Sequence, residues 1–148
     1  MPPPGPDASL GFAVRRAHRA FDRALQRRLA AHGLTTGHWY YLRALWEQDG
    51  LTQRQLAQRT GVTENTTAVT VAAMVREGLV TRTRAPDDRR KWCIALTPRA
   101  LALREVLLPL AHEVNAVAAA DLSPQDHARA LTLLARITAR LGEDGAEE

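Results

Sequence analysis

Four consecutive residues, Asp88-Arg89-Arg90-Lys91, place three cations and one carboxylate directly after the turn-forming pair Pro86-Asp87. Guanidinium and ammonium groups on such a tip can grip phosphate, and a neighbouring carboxylate can hold one of them in place. Between Leu51 and Thr97 there are eight Arg or Lys (Arg54, Arg59, Arg76, Arg82, Arg84, Arg89, Arg90, Lys91) against four acids (Glu64, Glu77, Asp87, Asp88). That segment carries the whole formal charge of +4, because the remaining twelve bases and twelve acids cancel. A basic excess confined to one segment is what polyanion binding requires, although a solvated charged face has the same composition. Catalytic chemistry is poorly supplied. There is no nucleophile–base pair, glycine-rich phosphate loop or metal cluster, so the chain does not read as an enzyme and no cofactor is expected. The histidines (His18, His32, His38, His112, His127) include no i,i+4 pair and no neighbouring cysteine, which argues against a metal centre. The single cysteine, Cys93, excludes an internal disulfide and any multi-cysteine zinc site.

These cations need a scaffold, and 148 residues suit one domain with a core of its own. No apolar run approaches the ~20 residues that a membrane span requires. The N-terminal stretch MPPPGPDASLGF lacks the basic and apolar regions of a secretion signal, so a cytoplasmic protein is expected. Residues 1–8 read as a flexible arm and residues 143–148 as a frayed acidic tail. From Leu10 to about Ala31, Leu10, Val14, Ala17, Phe21 and Ala24 recur at helical spacing, widened by Leu25 and Leu29. The opposite face is basic (Arg15, Arg16, Arg19, Arg23, Arg27), and Gly33 ends the helix. Thr35 caps a second helix that carries Trp39, Tyr40, Tyr41 and Trp46. Trp39, Leu42 and Trp46 share a face, so at least one tyrosine is left for another surface.

Thr52 and Gln55 form a capping box that opens a short third helix, with Leu56 and Ala57 turned inward. Gly61 permits the positive φ of a tight helix–helix turn, and Thr63 caps a fourth helix that stops at Gly78. Leu79–Ala85 and Trp92–Thr97 are short, alternating and β-prone, separated by the charged turn. Two helices and a tight turn followed by a hairpin make a winged helix-turn-helix, whose second helix enters the major groove of DNA. Thr97-Pro98 then starts a long helix with Leu103, Leu107, Leu110, Val114 and Val117 at four-three spacing. Ser123-Pro124 starts a last helix, where Ala130, Leu134, Ile137 and Leu141 repeat that spacing. The expected fold is mainly α with a small β-hairpin wing. Residues 34–97 form the DNA-binding domain, and residues 9–33 with 98–142 form a helical dimerisation region.

The pieces Leu34-Thr35-x-x-His38-Trp39, Leu51-Thr52-x-x-x-Leu56-Ala57, Gly78-Leu79-Val80 and Asp88-Arg89-Arg90 before Leu96-Thr97 resemble the multiple-antibiotic-resistance regulator (MarR) family of bacterial transcription factors. The resemblance is close over about 64 residues. It implies a homodimer made by the terminal helices, a pseudo-palindromic operator in double-stranded DNA, and repression released by a small aromatic, often anionic ligand (a carboxylate or phenol). By resemblance, Arg90 is the wing arginine that enters the minor groove, a placement that suits a guanidinium on a hairpin tip. Asp88 would steady that tip, and Arg89 and Lys91 would contact phosphate.

On the fourth helix Glu64, Asn65, Thr66, Ala68 and Val69 should face the groove, while Thr67, Val71 and Met74 have core spacing. The family often has basic residues where this chain has Val69 and Ala73, and no Lys or Arg lies between Thr63 and Val75. Bidentate arginine–guanine pairs are therefore unavailable from that stretch. Asn65 suits adenine, and Thr66, Ala68 and Val69 suit thymine methyls, so a site read by methyl contacts and shape is expected. Arg54, Arg59 and Arg76 are either phosphate anchors or solvated cations. His18, Trp39, Tyr40 and Arg43 are candidate ligand contacts, with ordinary packing and a surface arginine as the alternative. Some family members sense oxidants through a cysteine in the first helix, and this chain has none there. A winged-helix module that binds a protein partner and little DNA is the competing reading, favoured by the neutral recognition helix and opposed by Arg90 and the local charge.

Overall fold

A computed structural model of the chain describes residues 1–2 and 5–145. After a 3-10 turn at Pro6–Ala8, six α-helices and three strands follow: α1 (Leu10–Leu29), α2 (Thr36–Glu47), β1 (Leu51–Thr52), α3 (Gln53–Thr60), α4 (Glu64–Arg76), β2 (Val80–Arg84), β3 (Trp92–Leu96), α5 (Pro98–Ala118) and α6 (Pro124–Asp144). The expected arm at 1–8 includes two residues, and the acidic tail three, that lie outside the described part. The start of that tail, up to Asp144, is the end of α6.

Local chemistry explains the boundaries. Ser9, Thr35, Thr52, Thr63 and Ser123 each cap a helix by accepting a backbone N–H through the side-chain oxygen. Thr35/His38 and Thr52/Gln55 are reciprocal capping boxes. Gly61 takes φ 70° to end α3, and the Val62 N–H donates to the Ala57 carbonyl at 3.1 Å across the turn. Thr97 joins the hairpin to α5. Its hydroxyl donates to the Gly78 carbonyl at 2.7 Å and accepts from the Ala100 N–H at 3.3 Å.

The sheet has three antiparallel strands in the order β1-β3-β2 rather than the two that the sequence pattern predicts. Leu51 and Thr52 pair with Ile94 and Cys93, so the residues that open α3 also extend the wing sheet. Asp49 prolongs this seam, with Oδ1 accepting the Leu96 N–H and the Gly50 N–H, each at 2.9 Å. The hairpin proper runs from Val80↔Leu96 to Arg84↔Trp92.

The chain divides into two compact units, Met1–His112 and Glu113–Glu148. In the first, Leu29, Leu42, Leu45, Leu51, Leu56, Val71, Met74, Leu79 and Ile94 form a fully buried core. Trp39 and Trp46 meet edge to face at 5.7 Å, and the Trp46 indole N–H donates to the Ala100 carbonyl at 3.0 Å. The predicted α1 stripe is only partly used: Leu25 and Leu29 are buried, while Leu10, Val14 and Phe21 stay exposed. On α5, Leu107 and Val114 are buried but Leu101, Val106 and Val117 are exposed. In the second unit, α6 buries no residue, and Leu131, Leu133, Leu134 and Leu141 are exposed. Among the described residues no helix is long and apolar enough to cross a membrane.

Candidate nucleic-acid interface

The wing tip is built by one carboxylate. Asp88 Oδ1 accepts from the Arg90 backbone N–H and from Arg90 Nε, each at 3.1 Å, and Oδ2 accepts from Arg90 Nη2 at 3.3 Å. The Arg90 guanidinium and backbone N–H hold the Asp88 carboxyl below the usual carboxylate range. The Arg90 side chain is 91% exposed, so the group is aimed and unburied at once. The Lys91 N–H donates to the Asp88 carbonyl at 3.0 Å, closing the turn, and Arg89 and Lys91 are exposed beside it.

On α4, Glu64, Asn65, Thr66 and Val69 are exposed, Ala68 is half-buried, and Thr67, Val71 and Met74 are buried. The exposed face of the helix is thus the one that the periodicity assigns to DNA. Val69 is 71% exposed, unusual for an aliphatic side chain in a folded unit and suited to a thymine methyl. The Thr66 hydroxyl already accepts a hydrogen bond from Thr63 Oγ1 at 3.1 Å, which orients it. Arg54 and Arg76 are exposed. Arg59 is tied down instead, donating to Gln48 Oε1 at the end of α2.

Two polar links fix α4 to α2, and sequence spacing alone does not reveal either. Tyr41 Oη and Thr67 Oγ1 share a hydrogen bond of 3.0 Å, and the two residues are 3% and 0% exposed. His38 Nδ1 accepts the Thr35 N–H at 3.0 Å, which leaves the ring proton on Nε2, 2.8 Å from Glu77 Oε2 just beyond α4. His38 thus completes the capping box with Thr35, and the ring does a second job in the same pose. Arg99 adds a third hold by donating to the Glu77 carbonyl at 2.6 Å. The recognition helix is therefore anchored at both its buried middle and its C-terminus. Tyr41→Phe or Thr67→Val alone is expected to cost about 1–3 kcal/mol, because each leaves a buried hydroxyl unpaired. The double variant should recover most of that loss, since neither partner remains. Urea unfolding of the three variants checks it, and additive losses would mean that the two hydroxyls do not depend on each other.

Of the four ligand candidates, Tyr40 and His18 meet at Asp22, while Trp39 packs inward. Trp39 is 3% exposed and belongs to the core, so it offers no wall to a ligand here. Tyr40, 37% exposed, donates to Asp22 Oδ1 of α1 at 2.7 Å, and His18 Nε2 lies 3.4 Å from Asp22 Oδ2. Burial and then the bond to Asp22 push the Tyr40 phenol up to about 12, keeping it a donor. Arg43 stands one helical turn from Glu47, at 3.9 Å. A shallow groove beside this cluster is lined by Asp22, Arg23, Gln26, Arg27 and Thr36. Asp22, Gln26 and the groove carry no helix-periodicity signal that could have singled them out. Among the described residues no group of His, Cys, Asp or Glu could hold a metal ion, and Cys93 is a half-buried free thiol in β3.

Comparison with known proteins agrees with this geometry. Residues 32–91 match the model of the MarR family. The chain is 33% identical over 125 residues to the HTH-type transcriptional regulator TtmR of Methylorubrum extorquens, an alignment covering 84% of this chain and 63% of TtmR. It thus spans less than two thirds of that relative's length. Among solved structures, a probable transcriptional regulator from Pseudomonas aeruginosa superposes with TM-score 0.80 at 34% identity, over 88% of this chain and 98% of that one. The PcaV transcriptional regulator of Streptomyces coelicolor, solved in complex with its natural ligand, gives TM-score 0.82 at 27% identity, over 94% and 98% of the two chains.

Proposed function

Since the chain belongs to the MarR family of transcriptional regulators, we propose that it is a cytoplasmic homodimeric repressor that binds a pseudo-palindromic operator and leaves it when a small aromatic anion binds. The observation that carries the DNA-binding part is the Asp88-held, exposed Arg90 on the wing, together with the exposed Asn65, Thr66 and Val69 of the recognition helix. Arg90 reads the minor groove, Asn65 and the methyl-bearing side chains read the major groove, and Arg54, Arg76, Arg89 and Lys91 contact phosphates. The neutral α4 surface makes shape and methyl contacts, not guanine pairs, the source of specificity.

The unpartnered apolar faces support dimerisation. Exposed Leu10, Val14 and Phe21 on α1, and Leu131, Leu134 and Leu141 on α6, are too many large aliphatic and aromatic groups to leave in water on a stable monomer. A second copy would cover them and set two recognition helices at a fixed separation.

For the ligand, Tyr40 and His18 already converge on a carboxylate, that of Asp22. An aromatic acid could present its own carboxylate to the same two groups, with Arg43 of the same helix as Tyr40 supplying the cation. PcaV, the similar regulator solved with its natural ligand, supports a small-molecule response. The test is binding of the purified protein to DNA from its own upstream region, with and without a panel of aromatic acids. Specific binding released by one compound is expected. Specific binding indifferent to the panel would remove the ligand response, and absence of specific binding to any site in a genome-wide selection would favour the protein-partner reading.

A further inference from the structure

The end of the wing ribbon next to the tip carries a cationic arrangement that the reading above does not use. Trp92 is the last residue pair of the ribbon with Arg84, and Arg82 lies across from Ile94, so both arginines share a face with the indole. The Arg84 guanidinium carbon sits 3.6 Å from the Trp92 ring centroid and that of Arg82 sits 4.2 Å from it. The face starts in the core at Val80, Leu96 and Ile94 and then emerges, leaving Trp92 and Arg82 half-buried and Arg84 exposed.

Two guanidiniums held against one ring repel each other, and an acid between them would relieve this. Among the described residues neither has a carboxylate partner, and the buried Arg82 Nε has no hydrogen-bond partner at all. A guanidinium stacked on an aromatic face loses little of its donor fork, because its N–H groups point outward in its own plane. Stacking also removes rotamer freedom that phosphate binding would otherwise have to remove.

We propose that Arg82, Arg84 and Trp92 form a second phosphodiester-binding platform on the wing ribbon directly below its tip, which grips the DNA backbone beside the groove entered by Arg90. The arginines contact phosphate, and Trp92 is a positioning residue that keeps both forks flat and ordered. This rests on the DNA-binding reading and extends it from the tip loop to the ribbon that carries it.

The experiment measures operator affinity against salt for the wild type, Arg84→Gln, the Arg82→Gln/Arg84→Gln double variant, Trp92→Phe and Trp92→Leu. Each charge that leaves a phosphate lowers the salt slope by about 0.9, so a dimer of Arg84→Gln should lose about 2 from its slope and the double variant about 4. Trp92→Phe keeps an aromatic plate and should bind within about twofold of wild type, whereas Trp92→Leu keeps all charges and should bind several-fold more weakly. A wild type that binds with a steep slope which Arg84→Gln and the double variant leave unchanged overturns the platform and spares the DNA-binding reading. A wild type that binds no DNA at low salt overturns both. Arg84 is exposed, so its replacement leaves the folded unit in place for the comparison.

Discussion

Arg90→Ala lowers operator affinity about 100-fold while leaving the unfolding transition where it was: this is the expected result of removing one groove contact from each half of a dimer. The two effects separate because the Arg90 side chain is 91% exposed and is held by Asp88 at the surface. Its contribution to folding is that of a surface ion pair, whereas in a complex it enters a narrow, electronegative groove. Arg90→Lys should recover charge without the planar fork and regain only part of the loss. The pH dependence follows in sign. Arg90 lowers the Asp88 pKa, so the ordered tip is complete above the ordinary carboxylate pKa and is lost as pH falls through the lowered value. Affinity should therefore show no Asp88-linked change near neutrality. Affinity measured on one duplex across these variants, with thermal unfolding alongside, decides it. Equal affinity for Arg90→Ala and wild type would remove Arg90 from the interface.

Leu134→Asp is expected to have the larger effect on assembly. Leu134 is 48% exposed in the single chain, so an acid there costs the isolated fold little. In a dimer it would place a charge in the apolar seam shared with Leu131, Ile137 and Leu141, where an unpaired carboxylate costs several kcal/mol. The variant should sediment as a monomer at concentrations where the wild type is a dimer. Operator affinity should fall about 1,000-fold, because the second half-site is no longer held at high effective concentration. A variant that remains dimeric would exclude α6 from the interface.

Much of this arrangement is legible in the sequence where the determining interactions are local. Thr35, Thr52 and Thr63 announce helix starts because capping acts over three residues. Gly61 announces the helix-turn-helix turn because a positive φ is a single-residue property. The burial of Thr67, Val71 and Met74 follows from period 3.6. Other features depend on partners distant in sequence. β1 is two residues long, too short to alternate, and exists because Ile94 and Cys93 lie alongside it. Which of Tyr40 and Tyr41 turns inward is set by Thr67, 26 residues from Tyr41. Trp39 has the composition of a ligand wall but the position of a core residue, settled by Trp46 and by its 3% exposure. The Arg82–Trp92–Arg84 stack needs the hairpin register, which the two strand patterns leave free to slip.

The central claim is that two copies of this chain present two wings and two recognition helices to one pseudo-palindromic site. Nuclease footprinting of the purified protein on a site selected from its own genome tests that most directly. The claim predicts one protected region with two symmetry-related halves about one helical turn apart, with protection extending into the flanking minor grooves and lost from those flanks in Arg90→Ala. Protection of a single half-site, or footprints that ignore sequence and are unchanged by Arg90→Ala, would contradict it.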